Sequence, residues 1–309
     1  MNKNHKHTAD TITISTADNS ASMTFHPDRG AIASSLIFNQ QQLLFLHDFF
    51  DHPHWPDLPG GWPFCFPACG RLSFDGQVGT YQHNANTYHL PIHGFAWQQS
   101  WRAKQTKSCQ VTLSLHSNDA TRAIYPFEFS VHLEYTISHN QLTCLQTYTN
   151  RSNASMPYSC GFHPYFKTPW PQSEKTKVEL HCHPEKTLIY NSDLTDIIAE
   201  KEPLTMPRSI ADPDINEQLS LLSNDHQARL SFPNKSHILV TTTDVNQPNI
   251  NSTPNSLPYL QLYTDPNLPF FCVEHWSSPP NALNSGYSLR LLESGQSEQS
   301  LLILKIAID

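Results

Sequence analysis

The sequence predicts an all-β protein of antiparallel strands, and three observations carry that expectation. Apolar residues recur at every second position, 24 prolines interrupt any helix and gather in loops such as Pro53, Pro56 and Pro59, and no segment shows a long helical stripe. The clearest alternation is Phe127, Phe129, Val131, Leu133, Tyr135 and Ile137, the signature of a half-buried strand. A turn at His139, Asn140 and Gln141 leads into Leu142 to Tyr148, which reads as its hairpin partner. Similar short strands are expected at Thr11 to Ser15, Val111 to Leu115, Lys177 to Leu180, His237 to Thr241, Tyr259 to Tyr263, Tyr287 to Leu291 and Leu301 to Ile308.

An all-β unit can reach this size without dividing, so residues 1–309 are read as one domain with residues 1–9 as a disordered tail. Two long irregular segments, His47 to Pro63 and Asn246 to Ser256, have the length of functional rims. The formal charge of -8 sets 19 Lys and Arg against 27 Asp and Glu with no basic cluster, which argues against a nucleic-acid partner. Met1 to Asp10 is polar, and no stretch is long and apolar enough to span a bilayer, so a soluble, non-secreted protein with no membrane partner is expected. An odd count of seven scattered cysteines favours reduced, mostly buried thiols over a disulfide framework and points to the cytoplasm.

Four segments combine ionisable residues with Gly, Pro and aromatics, a mixture that alternating strands do not need. They run from Gly60-Gly61-Trp62-Pro63 to Gly70-Arg71, over Leu90-Pro91-Ile92-His93-Gly94-Phe95-Ala96-Trp97, over Gly161-Phe162-His163-Pro164-Tyr165-Phe166, and from Val273-Glu274-His275-Trp276 to Pro279-Pro280-Asn281-Ala282. Rings beside polar groups suit a carbohydrate, whose C–H faces stack and whose hydroxyls need hydrogen bonds. Core packing around one satisfied polar group accounts for any single segment equally well. Taken together and in order, from about Asp28-Arg29-Gly30 to the C-terminal strands, the segments resemble the aldose 1-epimerase (galactose mutarotase-like) family, especially the branch that includes glucose-6-phosphate 1-epimerase-like proteins.

That resemblance implies a large antiparallel β-supersandwich and a cofactor-independent isomerase that interconverts the anomers of an aldose, with a small carbohydrate as its partner. Glu274 matches the family's general base, and the apolar run Phe271-Cys272-Val273 before it would raise its pKa. A structural carboxylate paired with a cation such as His275 is the plainer reading. His163 matches the general acid. His93 matches a histidine that hydrogen-bonds sugar oxygens, with Gly94 leaving room, although a structural histidine at a strand end has the same sequence signature. Arg71 corresponds to an arginine that holds sugar hydroxyls. The family adds an acidic residue to these hydroxyls, and Asp214 in Asp212-Pro213-Asp214-Ile215 is the nearest candidate.

Relatives acting on hexose 6-phosphates carry Arg before the paired glycines and after His-Gly-Phe-Ala, where this chain has Pro59 and Trp97. Losing those charge-assisted bonds favours an unphosphorylated hexose, although Arg29 is a cation that could substitute from elsewhere. Trp97 either stacks on the sugar or packs in the core. The alternatives are a hexose-6-phosphate 1-epimerase and a non-catalytic carbohydrate-binding or regulatory module. A metal centre built on His181-Cys182-His183 lacks ligand spacing, and a two-carboxylate hydrolase lacks a second acid in comparable context. No cofactor or metal is expected, and the oligomeric state is read as monomer or homodimer.

Overall fold

The computed structural model describes residues 11–52, 58, 60–244 and 257–307. Residues 1–10, the proposed tail among them, and the rim segment 246–256 lie outside the described residues, as do 53–57 and 59 within the other rim.

The alternating segments become two large antiparallel sheets. One has nine strands in the spatial order Arg102–Lys107, Gln110–His116, Phe129–Ser138, Gln141–Asn150, Ser297–Ala307, His237–Asp244, Gln227–Ser231, Glu179–Cys182 and Arg208–Ser209. The other has eight: Ile197–Lys201, Pro184–Tyr190, Gln218–Leu222, Tyr259–Tyr263, Phe270–Trp276, Gly161–Phe162 and Phe64–Cys65 in order, with Tyr165–Lys167 also paired to Phe270–Trp276. A four-stranded sheet over Ile12–Ser15, Ala21–His26, Ile32–Phe38 and Gln41–Gln42 opens the chain. Every pairing between these strands is antiparallel, and helices among the described residues are single short turns such as Asp119–Ile124 and Ala282–Ser285. None of them is long and apolar enough to cross a membrane.

The expected hairpin forms as Phe129–Ser138 against Gln141–Asn150, with Ser138 opposite Gln141 and His139-Asn140 as the turn. Two expected boundaries shift. Tyr287 to Leu289 turn back on Gly286, whose carbonyl accepts the Leu289 N–H, so the strand starts only at Arg290. Lys177 and Val178 likewise close the preceding turn, the Val178 N–H donating to Lys175, before the strand begins at Glu179.

The core lies between the two large sheets. Val131, Leu133 and Tyr148 from the first meet Phe162, Leu260, Leu262, Phe271 and Val273 from the second, and Phe66 bridges them with its ring 5.1 Å from Phe129. Every residue of Phe270–Trp276 is buried, because both faces of this strand are covered. Phe271 and Val273 point into the sandwich. The alternate residues Phe270, Cys272, Glu274 and Trp276 point the other way, onto the floor of a cleft. The sheet satisfies the backbone polar groups here, which leaves the side-chain polar atoms of Glu274, His275 and Trp276 as buried groups that the strand pairing does not account for.

Candidate active site

A cleft of about 340 Å³ opens over the outer face of the eight-stranded sheet, and Arg71, His93, His163 and Glu274 all line it. Four segments distant in sequence supply them. Gly161 pairs with Trp276 and Tyr165 with Cys272, so His163 comes to lie beside Glu274 across neighbouring strands. His163 Nε2 stands 3.4 Å from Glu274 Oε1, and both side chains are almost completely buried.

Burial shapes their protonation. Desolvation, reinforced by Glu217, pushes the Glu274 carboxyl well above its usual range, and desolvation followed by His93 pushes His163 well below its own. Both shifts favour the uncharged forms of the pair over the ion pair. Glu274 Oε2, His163 Nδ1 and the Trp276 indole N–H have no hydrogen-bond partner among the described residues. Orphaned polar atoms in a buried site are costly unless a bound molecule completes them.

His93 is held differently. The Gly70 N–H donates to its Nδ1 at 3.1 Å, which leaves the hydrogen on Nε2. Its ring packs 5.0 Å from His163 and 5.5 Å from Trp276. Desolvation, with Arg71 adding to it, lowers its pKa to about 3, so it stays a neutral donor. His93, His163 and Glu274 bring one nitrogen or oxygen each to within 4.8 Å of one another, as a metal site would. The fit fails at His93, whose Nδ1 lone pair is taken by Gly70 and whose Nε2 carries a hydrogen. The arrangement suits hydrogen bonds to oxygens rather than coordination.

Two of the expected binding residues are not brought to the cleft. Asp214 faces solvent at the surface, where it pairs with Arg208 at 3.2 Å beside Asp212. Trp97 is buried in the core, its indole N–H donating to the Ile92 carbonyl, in a cluster with Leu58, Tyr165 and Phe270 behind the cleft wall. Its backbone also lies where Gly30 would carry a Cβ, so the two segments pack at backbone distance.

Besides Glu274 and Asp265, the acidic residue that lines the cleft is Glu217, three positions after Asp214. It remains open to solvent through the cleft mouth, while the surrounding protein raises its carboxyl pKa and Arg71 opposes that rise. Gln261 Nε2 donates to Glu217 Oε2 at 3.4 Å, and the Tyr190 hydroxyl donates to Gln261 Oε1 at 2.7 Å. These three residues form a polar wall opposite the histidines, and none carries a motif that would have singled it out. Glu217→Gln is expected to raise KM about 10-fold or more with a smaller change in kcat, whereas Asp214→Asn leaves both within about twofold. Equal effects of the two substitutions in steady-state kinetics would remove Glu217 from the site.

Asn281, from the Pro-Pro-Asn-Ala segment, ties the walls together. Its amide pairs with both backbone groups of Ser73, accepting from the N–H at 2.9 Å and donating to the carbonyl at 3.0 Å, and it also donates to Asp196 at 2.6 Å. Its own N–H holds the Arg71 carbonyl. Asp196 ends the turn that carries Leu194 into the cleft. His93, Leu194, Glu217 and Asn281 all adopt left-handed backbone conformations, with φ of 61°, 57°, 52° and 59°. Such conformations cost about 1–3 kcal/mol each and persist only where the surroundings enforce them, which is common at functional sites.

Comparison with known proteins gives the family and the fold. The family described as aldose 1-epimerase matches residues 10–305. Protein LacX of Lactococcus lactis is 22% identical over 75% of this chain and 80% of its own, and protein YihR of Escherichia coli is 24% identical over 86% and 84%. Among solved structures, the Slr1438 protein of Synechocystis superposes with a TM-score of 0.82 at 25% identity, covering 97% of this chain and 96% of that one. A galactose mutarotase related enzyme of Lactobacillus acidophilus gives 0.77 at 20% identity, covering 96% and 97%. With the family matched over almost the whole chain and the same antiparallel architecture found in those neighbours, the chain belongs to the aldose 1-epimerase family.

Proposed function

We propose that the protein is a mutarotase that interconverts the α and β anomers of an unphosphorylated aldose without a cofactor. The observation that carries this reading is the buried pair of His163 and Glu274, 3.4 Å apart on the cleft floor, with Oε2 and Nδ1 unsatisfied.

Ring opening requires one proton to leave the C1 hydroxyl and one to reach the ring oxygen. The pair holds one transferable proton, so it can do both without exchange with solvent. Substrate binding favours the ionic form of the pair. The C1 hydroxyl donates to the Glu274 carboxylate, and the ring oxygen accepts from the imidazolium Nε2–H. Glu274 then takes the hydroxyl proton, His163 protonates the ring oxygen, the bond from C1 to that oxygen breaks, and an aldehyde forms. Rotation about C1–C2 and reclosure with the proton movements reversed give the other anomer and restore the pair. His93 Nε2–H and the Arg71 guanidinium hold hydroxyls on one side, with Glu217 and Gln261 on the other.

Charge in the cleft supports a neutral sugar. Among the described residues that line it, Arg71 is the one Lys or Arg, against Glu217 and Asp265, while Glu274 and His163 together carry no net charge. A phosphate dianion would meet more negative than positive groups. Binding alone would not require an acid beside a base, which disfavours a purely carbohydrate-binding module. We read the working form as a single unit in the cytoplasm, monomeric or homodimeric, consistent with seven free thiols of which six are buried.

The test is exchange NMR on α-D-glucose, α-D-galactose and glucose 6-phosphate. Wild-type protein accelerates anomer exchange of a neutral sugar, and His163→Asn loses about 10²- to 10⁴-fold of that rate. A folded wild-type protein that accelerates none of the three, or a His163→Asn variant as fast as wild type, sinks the reading.

A further inference from the structure

The cleft is asymmetric. Arg71, Tyr190, Glu217 and Gln261 make one part polar, while Phe49, Leu58, Leu268 and Phe270 make the other apolar, with His47 and Tyr165 between that shelf and the catalytic pair. The shelf is continuous with the acid. Tyr165 stacks on His163 with ring centroids 4.7 Å apart and planes 5° from parallel, and Phe270 lies 4.9 Å beyond Tyr165. His47 lies 6.3 Å from Tyr165 and stacks on Phe49 at 4.7 Å.

We infer that this shelf is the subsite for the C6 end of the sugar and that the preferred substrates are 6-deoxyaldohexoses, which carry a methyl group there. The inference rests on the mutarotase reading above. In that reading His163 protonates the ring oxygen, and the atom bonded to that oxygen on the side away from C1 is C5, which bears C6. The ring carbons with hydroxyls find partners at Arg71, Glu217 and Gln261, so the C6 end is directed to the wall beyond His163. Trp97 packs with Leu58, Tyr165 and Phe270 behind the shelf, so its far side is apolar as well.

Asp265 is the one carboxylate beside the shelf, and its Oδ1 accepts the Asn267 N–H at 2.7 Å. Its charge is offset by Lys175, whose ammonium donates to the Asp265 and Phe270 carbonyls, so it is the apolar lining that disfavours a phosphate dianion. A methyl group meets Phe49, Leu268 and Phe270 without loss, whereas a hydroxymethyl group must give up water on an apolar surface.

Anomer exchange is measured for galactose, 6-deoxygalactose and galactose 6-phosphate, and for the corresponding glucose series, each rate divided by its spontaneous rate. Comparison within a series removes the effect of C4 configuration. In at least one series the 6-deoxy sugar exceeds its parent roughly 10- to 100-fold in kcat/KM, the scale on which an apolar pocket rejects an added hydroxyl. The 6-phosphate is slowest. A parent sugar equal to or faster than its 6-deoxy partner in both series overturns the inference while leaving the mutarotase reading intact, and so does a 6-phosphate that leads either series. Leu268→Arg combined with Asp265→Asn is expected to raise kcat/KM for the 6-phosphates roughly 10- to 100-fold, the worth of one charge-assisted hydrogen bond. No gain there places the C6 end elsewhere. If wild-type protein turns over none of the sugars, the mutarotase reading fails by itself. Saturation-transfer NMR on the same sugars then decides the subsite, with tighter binding of the 6-deoxy forms supporting it and equal binding refuting it.

Discussion

Glu274→Gln lowers kcat by about 10²- to 10⁴-fold and at the same time makes the protein harder to unfold. The loss follows from the chemistry, since an amide cannot accept the C1 hydroxyl proton. The gain follows from burial. Desolvation raises the folded-state pKa of Glu274 above its unfolded value, so between those values the native state binds a proton that the unfolded state does not. The carboxyl's contribution to stability is therefore fully present below about pH 4.5 and is lost as pH rises through the raised folded pKa. The amide of the variant does not titrate and has no such dependence. The variant should match wild type near pH 4 and outlast it increasingly above, by about 1.4 kcal/mol per pH unit until the folded pKa is passed. Thermal melts of both proteins from about pH 4 to about pH 8 give the comparison; histidines remote from residue 274 cancel, and repeating it in a His163→Asn background removes the one beside it. A constant difference across that range would mean that Glu274 is ionised in the folded protein, and retained activity would remove it as the base.

This coupling of activity and instability is local. His93 and Arg71 are fixed by neighbours that have other roles in the fold, Gly70 and Asn281, whereas His163 and Glu274 have polar atoms that no neighbour among the described residues completes. In the proposed reaction the unsatisfied Glu274 carboxyl accepts the hydroxyl proton, and His163 acts through Nε2, the nitrogen that faces Glu274. His93 is held through its Nδ1 and Arg71 through its backbone carbonyl, which fixes where each side chain starts.

How much of this was legible in the sequence depended on whether the signal was local. Strands such as Phe129–Ser138 have one face in the core, so their alternation was readable. Phe270–Trp276 has both faces covered, and its run Phe-Phe-Cys-Val-Glu-His-Trp hides the alternation that aims Glu274 outward. The histidines were found because their segments resembled known ones. Glu217 was missed in favour of Asp214 because choosing between them needs the strand pairing that places Gln218 opposite Leu262. That pairing sets Glu217 at the cleft end of its strand and leaves Asp214 in the preceding turn with Arg208. Trp97 had two readings in sequence, and the hydrogen bond to Ile92 together with the close approach of Gly30 selects the core. The Pro-Pro-Asn-Ala segment was visible as a motif, but the role of Asn281 required knowing that Ser73 and Asp196 lie on either side of it.

Gly94→Ala is expected to cost stability and specific activity together. Gly94 has φ of 71°, and a Cβ there would lie 2.2 Å from the Phe66 carbonyl oxygen and 2.4 Å from its carbon. Those are backbone atoms that cannot retreat, because the same carbonyl accepts the N–H groups of Phe95 and Ala96, and Phe66 forms a bridge with Gly94. The left-handed conformation costs an alanine about 1–2 kcal/mol, and overpacking adds about 1–3 kcal/mol, so a loss of roughly 2–5 kcal/mol is expected. In a chain of this size that lowers the melting temperature by about 4–20 °C. Activity should fall by more than the folded fraction does. Relief of the clash must move the segment that carries His93, and the hydrogen bond from Gly70 to Nδ1 is what fixes which nitrogen faces the sugar. The decisive comparison is kcat/KM per folded molecule, measured well below the new melting temperature. Full specific activity in a destabilised protein would show that the tight turn serves folding alone. Reduced specific activity with an intact core would show that the glycine's missing side chain holds the histidine in register.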